Sequence, residues 1–153
     1  MYQALFHSPI GTLLIEGTRD AVAAVRFVPP DTPVGKSNRV VNQARTQLRQ
    51  YFRGTRTTFD VPLDMGLCTP FQRKVLAEVA KVELGRTTTY GEIARKLKKV
   101  AGARAVGGAN ARNPISILIP CHRVIAANGK LTGYGGGLPN KEWLLKHEHA
   151  VLL

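Results

Sequence analysis

The chain has 153 residues, 44% hydrophobic and 21% charged, a balance typical of a folded globular protein rather than a disordered one. Its 22 basic and 10 acidic residues give a net charge of +12 at pH 7, which indicates a polyanionic partner such as nucleic acid. No apolar run approaches the roughly 20 residues that a membrane span needs, and no signal peptide is evident. We therefore expect a cytoplasmic protein with no membrane partner.

Residues 1–64 read as a small sheet followed by a helix. Three apolar stretches separated by turn signals predict antiparallel strands: Ala4–Phe6, Thr12–Ile15 and Val22–Phe27. From Val40 to Phe52 apolar residues recur at helical spacing, and Gly54 follows as a stop. We expect this part to be a scaffold domain and residues 65–153, which carry 14 of the 22 basic residues, to form a second domain.

The second half begins with two helix-start signals. Both match the capping-box pattern, Thr69-Pro70-Phe71-Gln72 and Thr89-Tyr90-Gly91-Glu92, and we expect the first helix to end at Gly85. A further helix is predicted from Ala103 to Arg112, although Gly107-Gly108 costs it about 1 kcal/mol per glycine. A small-faced helix flanked by arginines, after a short turn, is typical of a helix-turn-helix that binds DNA. Tight packing against another helix of the protein is the alternative.

An apolar run then leads to a cysteine. Ile115–Ile119 predicts a buried strand that ends at Pro120 and presents Cys121. The glycine-rich stretch Gly133–Gly137 predicts a mobile or tightly turned loop. Asn140 is expected to cap a last helix.

Cys121, between Pro120 and His122, has the surroundings of an activated thiol. Only the thiolate is a strong nucleophile, and an imidazole that takes the proton makes it available. Because sequence neighbours point in different directions from an extended backbone, His122 would act through a bridging water or a sharp turn. It also needs an orienting carboxylate. The candidates are Glu78, Glu83, Glu92, Glu142 and Glu148. Cys68 is predicted to be a small buried side chain.

The stretch Ile119 to Ile125, which reads IPCHRVI, resembles the active-site signature of the O6-alkylguanine-DNA alkyltransferases, also named methylated-DNA–protein-cysteine methyltransferases. Further segments match in order and spacing: Thr69–Gln72, Gly85–Tyr90, Ala103–Gly107, Asn113-Pro114, Gly133-Tyr134 and Lys141–Glu148. The resemblance is close over residues 68–149 and general before them. It implies an α+β fold in which a ribonuclease H-like lobe precedes a mostly helical lobe with the helix-turn-helix and the cysteine.

The resemblance also implies a reaction and its residues. An alkyl group would pass from O6 of a flipped guanine to Cys121, once and irreversibly, while His122 takes the thiol proton through water and Glu148 orients His122. Asn113 would hold the active-site turn, and Tyr90 would assist base rotation and protonation of the leaving oxygen. Arg104 would fill the space left by the base. The implied DNA-binding residues are Thr89, Tyr90, Ala103, Arg104, Ala105, Gly107, Arg112 and Arg123. The implied substrate pocket is Asn110, Val124, Tyr134 and Gly135.

The implied partner is double-stranded DNA containing O6-alkylguanine, bound through the minor groove. A monomer is expected, with cooperative binding left open. No cofactor and no metal are expected, since the N-terminal lobe lacks the Cys/His set that holds zinc in some relatives. Leu76 stands where many bacterial members have Trp, a packing change.

Three other functions fit parts of the pattern. A damage-sensing alkyltransferase-like protein would lack the acceptor, which Cys121 supplies here. A helix-turn-helix regulator would need a further domain. A thiol hydrolase using Cys121 and His122 would turn over repeatedly.

Overall fold

The computed structural model describes residues 1–98 and 102–150. Its strands are β1 (Tyr2–Ser8), β2 (Gly11–Gly17), β3 (Val22–Val28), β4 (Thr88–Thr89) and β5 (Val124–Ile125). Its helices are α1 (Arg39–Phe52), α2 (Pro70–Val79), α3 (Tyr90–Lys96), α4 (Ala103–Ala111) and α5 (Leu138–His147). The predicted α+β class is confirmed. The chain forms two compact units, residues 1–67 with 114–118, and residues 68–113 with 119 onward.

The first unit is an antiparallel sheet in the order β1-β2-β3, with α1 packed on it. Ala4 pairs with Ile15, and Ile15 pairs with Val25, so apolar residues of the three strands share a face. Asn38 begins α1, because its side-chain oxygen accepts a hydrogen bond from the Val41 amide at 3.0 Å. The buried face of α1 closes an apolar core against the sheet. The predicted sheet and helix are confirmed.

The predicted strand at Ile115–Ile119 is wrong. Ile115 makes only an isolated parallel bridge with Val25, and the chain then turns, with the Leu118 amide donating to the Ser116 carbonyl at 2.8 Å. Ile117 adopts a left-handed conformation with φ of 71°, which an extended strand does not allow. Apolar content placed the run in the interior correctly but did not reveal the turn.

The second unit is mainly helical, and α2, α3 and α4 pack against one another. The predicted capping box at Thr69 is present, and Thr69 and Gln72 exchange both hydrogen bonds. The predicted end of this helix at Gly85 is wrong: α2 ends at Val79, and Gly85 lies in a later turn at φ of 85°. Asn140 does not cap α5: that helix begins at Leu138, and the Asn140 side chain donates to the Gly136 carbonyl. Among the helices of the described residues, none is long and apolar enough to cross a membrane.

Candidate active site

A sharp turn presents Cys121. Residues Cys121–Arg123 form one turn of 3-10 helix after Pro120, and β5 follows at once. β5 pairs in parallel with β4, which leads directly into α3, so the backbone links the cysteine segment to the start of the helix-turn-helix. Cys121 is 5% exposed. The backbone at Cys121 and His122 is therefore a turn, not the extended end of a strand that the preceding apolar run predicts.

His122 and Glu148 form a fully buried pair. His122 Nε2 lies 2.7 Å from Glu148 Oε2, and His122 Nδ1 has no hydrogen-bond partner among residues 1–98 and 102–150. Burial lowers the pKa of His122 below its usual value, although Glu148 opposes that shift. The imidazole is therefore neutral at pH 7. With the Nε2 proton donated to the carboxylate, Nδ1 carries a lone pair that can accept a proton.

Arg123 anchors the same carboxylate. Its Nε and Nη2 donate to the two oxygens of Glu148 at 2.8 and 3.0 Å, and its Nη1 donates to the Val82 carbonyl at 2.7 Å. Burial alone would raise the pKa of Glu148, but the hydrogen bonds from His122 and Arg123 outweigh it and lower the pKa to about 2. Arg123 was expected to bind DNA. Its side chain is 7% exposed and its donors are used inside the unit, so that assignment is corrected.

Lys141 is a buried cation that the sequence did not assign to the site. Its Nζ donates to the carbonyls of Val124 at 2.6 Å and Thr132 at 2.7 Å, tying β5 to the loop before α5. Burial lowers its pKa to about 8, and the nearby Cys121 opposes that shift. A signal was available, because Lys141 lies on the same helical stripe as Leu144, Leu145 and Glu148.

Two asparagines hold the backbone around the cysteine. Asn113 Nδ2 donates to the Ile119 carbonyl at 2.9 Å, as expected of a residue that holds the active-site turn. Asn110, on α4, donates from Nδ2 to the Cys121 carbonyl at 3.1 Å and is 2% exposed. Val124, which was expected to line the substrate pocket, is fully buried, and its backbone carbonyl accepts the hydrogen bond from Lys141.

Two tyrosines of the unit have separate environments. The Tyr134 ring lies edge-on to the His122 ring at 6.4 Å between centroids, next to exposed Gly135, and burial raises the pKa of Tyr134 so that its phenol stays neutral. The Tyr90 hydroxyl, at the first position of α3, lies 3.2 Å from the Thr132 carbonyl and 3.1 Å from the Thr132 hydroxyl. Tyr90 thus contacts the loop that Lys141 also holds.

The thiol of Cys121 is electrostatically unusual. Burial raises its pKa, while a hydrogen bond from Asn113 and the positive charge of Lys141 act in the opposite direction. At neutral pH the group is therefore mainly the thiol, and it needs a base at the moment of attack. Cys68 is buried as predicted and does not form a disulfide.

The expected DNA-binding residues of α3 and α4 are partly exposed. Ala103, Arg104 and Ala105 open α4 at the surface, Arg112 ends it there, and Thr89 caps α3. A Cβ on Gly107 would meet the Tyr90 ring at an ordinary 3.6 Å, and a Cβ on Gly108 would find only Arg112 at 3.9 Å among the described residues. Packing among the described residues therefore does not require glycine at either position.

Within the described ranges, 1–98 and 102–150, no three metal-ligating side chains come together in a way that could hold an ion. The site that does assemble there is a buried cysteine in a tight turn, beside a histidine held by an ionised glutamate. That combination defines a protein whose cysteine reacts with help from a neutral imidazole.

The chain belongs to the 6-O-methylguanine DNA methyltransferase family. Residues 1–65 match its ribonuclease-like domain and residues 70–150 its DNA binding domain. The methylated-DNA–protein-cysteine methyltransferase of Methanosarcina acetivorans is 45% identical over 97% of this chain and 98% of the relative. That of Mycolicibacterium paratuberculosis is 44% identical over 92% and 88%.

Solved structures of related proteins support the same family assignment. The O6-methylguanine methyltransferase of Mycobacterium tuberculosis superposes with a TM-score of 0.84 at 41% identity, covering 97% of this chain and 92% of that chain. The same protein in complex with DNA superposes with a TM-score of 0.86, again at 41% identity, covering 97% and 93%. The family inferred from the cysteine motif is confirmed.

Proposed function

We propose that this protein repairs O6-alkylguanine in DNA by moving the alkyl group onto Cys121, in one irreversible turnover. The observation that carries the proposal is the buried Cys121 next to His122, whose far nitrogen is held by Glu148. The related proteins named above act on methylated DNA and a protein cysteine. Family membership makes the same reaction the expected one here.

The protonation states fit this reaction. His122 is neutral, and Nδ1 is the atom left to receive the Cys121 proton, through one water because the two side chains leave neighbouring backbone positions. Glu148 is ionised and stabilises the imidazolium that results. Lys141 adds a positive charge that favours the developing thiolate. Asn113 and Asn110 fix the backbone that carries the sulfur.

The bond changes balance without a cofactor. The Cys121 sulfur forms a bond to the alkyl carbon as that carbon's bond to O6 breaks, and the electron pair leaves on guanine. The proton lost by the thiol is matched by one delivered to the guanine, for which the Tyr90 hydroxyl is the proposed donor. The product is a thioether, which has no easy hydrolytic exit, and the protein is consumed.

DNA recognition is assigned to α3 and α4. An O6 alkyl group inside a duplex is out of reach of a buried thiol, so the base must leave the stack. We place α4 in the minor groove, where Gly107 and Gly108 allow close approach and Arg104 occupies the space of the extruded base. Tyr134 and Gly135 would flank that base beside Cys121.

Residues 65–153 are proposed as the DNA-binding and alkyl-acceptor domain, and residues 1–64 as its scaffold. We propose a monomer, with cooperative binding along DNA as an open property. A reducing compartment, the cytoplasm, suits an acceptor that must stay a free thiol, and both cysteines of the chain are free.

Intact mass spectrometry tests the acceptor. Mixed with duplex DNA containing O6-methylguanine, the protein should gain a single methyl group in place of a proton, mapped to Cys121, and lose activity at one equivalent. Cys121→Ala should bind the duplex and gain nothing, and Cys68→Ala, the matched control, should react like wild type. Repeated turnover without an adduct would indicate a hydrolase.

Arg104→Ala tests the base-extrusion role. The variant should repair a duplex more slowly while reacting normally with free O6-benzylguanine, because a free base needs no extrusion. Arg86→Ala, another exposed arginine of this unit, serves as the control and should alter neither rate appreciably. Equal losses by Arg104→Ala on both substrates would contradict a role in extrusion.

A further inference from the structure

The positive charge of the first unit is concentrated in one segment. Residues 1–64 carry eight basic and five acidic side chains, but residues 32–59 carry six basic and no acidic ones. α1 occupies the middle of that segment. Its solvent side holds Arg39, Arg45, Arg49 and Arg53, here named the α1 basic face, with Arg53 at the helix C-cap.

The four arginines share one side of the helix. At 3.6 residues per turn they fall within an arc of about 120°, opposite the buried stripe that contains Val41, Ala44 and Leu48. The other side chains of that exposed side are uncharged hydrogen-bonding groups: Asn42, Gln43, Thr46 and Gln50. A solvated helix face usually mixes both signs of charge, and this one does not.

In residues 1–98 and 102–150, none of the four arginines forms an ion pair with a carboxylate. Arg45 donates to the Asn42 side chain at 2.8 Å, a neutral partner. The guanidinium groups therefore keep donors for an external acceptor.

The electrostatics of the helix account for only part of this arrangement: Arg49 in the last turn and Arg53 at the C-cap complement the helix dipole. Arg39 stands in the first turn, where the helix dipole disfavours a cation, and no acid is present there. Arg45, Arg49 and Arg53 follow at intervals of four residues, a like-charge spacing that costs a helix a few tenths of a kcal/mol per pair. The charge of Arg39 and the like-charge spacing of the arginines that follow are therefore not explained by the stability of α1.

We infer that the α1 basic face binds the phosphate backbone of duplex DNA, as a contact surface separate from the helix-turn-helix. Arginine, asparagine, glutamine and threonine are the side chains that commonly bond phosphate oxygens, and such contacts carry no sequence information. The inference rests on the proposed function, because DNA is the polyanion that the protein acts on. It gives the scaffold unit a direct part in sequence-independent DNA binding.

The salt dependence of binding tests the inference. Affinity for a lesion-free duplex of about 30 base pairs is measured by fluorescence anisotropy at several salt concentrations, for wild type and for Arg49→Gln/Arg53→Gln. Each phosphate contact contributes about 0.9 to the slope of log affinity against log salt. The double variant should lose about 1.8 from that slope while reacting with free O6-benzylguanine at the wild-type rate.

Two matched variants separate a surface from net charge. Arg19→Gln/Arg26→Gln removes the same charge from the same unit, outside α1, and should leave the slope nearly unchanged. Arg49→Lys/Arg53→Lys keeps the charge and should keep the slope. Thermal unfolding checks the fold, and the glutamine variant of α1 should be close to wild type in stability, because it loses both the repulsion and the favourable interaction with the helix dipole.

A slope equal to wild type in Arg49→Gln/Arg53→Gln, or equal to that of Arg19→Gln/Arg26→Gln, would overturn the inference and leave another acidic macromolecule as the partner of this face. If the wild-type chain itself shows no salt-dependent binding to DNA, the proposed function fails and the inference with it. Reaction with the free base distinguishes that case from an inactive preparation.

Discussion

The interiors of the two units bury different kinds of side chain. In the first unit the buried residues are apolar apart from Thr12 and Gln47, among those the structure describes. In the second unit, the described core includes four basic or acidic side chains: His122, Arg123, Lys141 and Glu148. Burial of apolar side chains removes no charge from water, whereas burial of an ion costs several kcal/mol of folding free energy unless the ion is paired. The second unit therefore buries charged groups, at a cost in stability, in the region of its reactive cysteine.

The interiors of the two units therefore have different roles. The first core holds a sheet and a helix together by the hydrophobic effect, and its residues are interchangeable within limits of volume. The second core fixes the charge of each group: a neutral imidazole, an ionised carboxylate and a protonated guanidinium. Changes in the second core should therefore alter reactivity and stability together, while changes in the first should alter stability alone.

Glu148→Gln should have the largest effect. Arg123 and His122 lose their ionised partner, and a buried charge without compensation costs about 3–5 kcal/mol, as measured by urea unfolding. Alkyl transfer should also slow, because the imidazolium of His122 is no longer stabilised. Leu48→Ala in the first unit, at about 2–5 kcal/mol, is the control and should leave the transfer rate unchanged below its unfolding range. A wild-type rate of alkyl transfer in Glu148→Gln would contradict the proposed difference between the two cores.

Acid should loosen the second unit before the first. The folded-state pKa of Glu148, about 2, lies below its unfolded value of about 4.3, so its contribution is present above that value and is lost as pH falls toward 2. The pKa of His122 is also lowered, so stability declines as pH falls below about 6.5. Hydrogen exchange, corrected for intrinsic rates, should show α5 losing protection between pH 7 and 4 while β1–β3 keep theirs. Equal loss in both units would contradict the charge-based account.

Lys141→Met should have the smallest effect of the three. The Val124 carbonyl loses a buried donor, at about 1–3 kcal/mol for an unsatisfied group, whereas the Thr132 carbonyl keeps the Tyr90 hydroxyl, and removal of a buried ammonium returns part of the loss. We expect a net loss on the order of 1 kcal/mol in urea unfolding. Lys146→Met makes the same change at an exposed position of α5 and should stay within about 0.5 kcal/mol. A larger effect at Lys146 would argue against buried bonding as the cause.

The elements of the first unit were easier to predict from the sequence than the charged core of the second unit. The strands and α1 of the first unit were predicted because apolar periodicity reports burial directly, and the capping box at Thr69 marked α2. Cys121 was singled out as the candidate nucleophile from its neighbours Pro120 and His122, whereas the 3-10 turn that carries it was not predicted. The carboxylate partner was not predicted from these neighbours either: five glutamates were candidates, and only the family resemblance singled out Glu148.

The errors have physical causes. A charged side chain is read as exposed, so the buried positions of Arg123 and Lys141 were missed, and Arg123 was assigned to DNA. The turn at Ile117 depends on a backbone conformation rare for a branched residue and leaves no trace in hydropathy. Asn140 is a good cap residue, but the chain enters the helix two residues earlier, with Pro139 in the first turn.

The chain has a single tryptophan, Trp143, and its indole stacks on the His147 ring at 4.9 Å between centroids. The pair lies on α5, the helix that also carries Lys141 and leads directly to Glu148. Any rearrangement of that helix end alters the stacking and hence the emission of the indole. The protein thus contains its own fluorophore on the helix that carries its buried lysine, and we expect lesion binding or alkyl transfer that shifts this helix to change the indole emission.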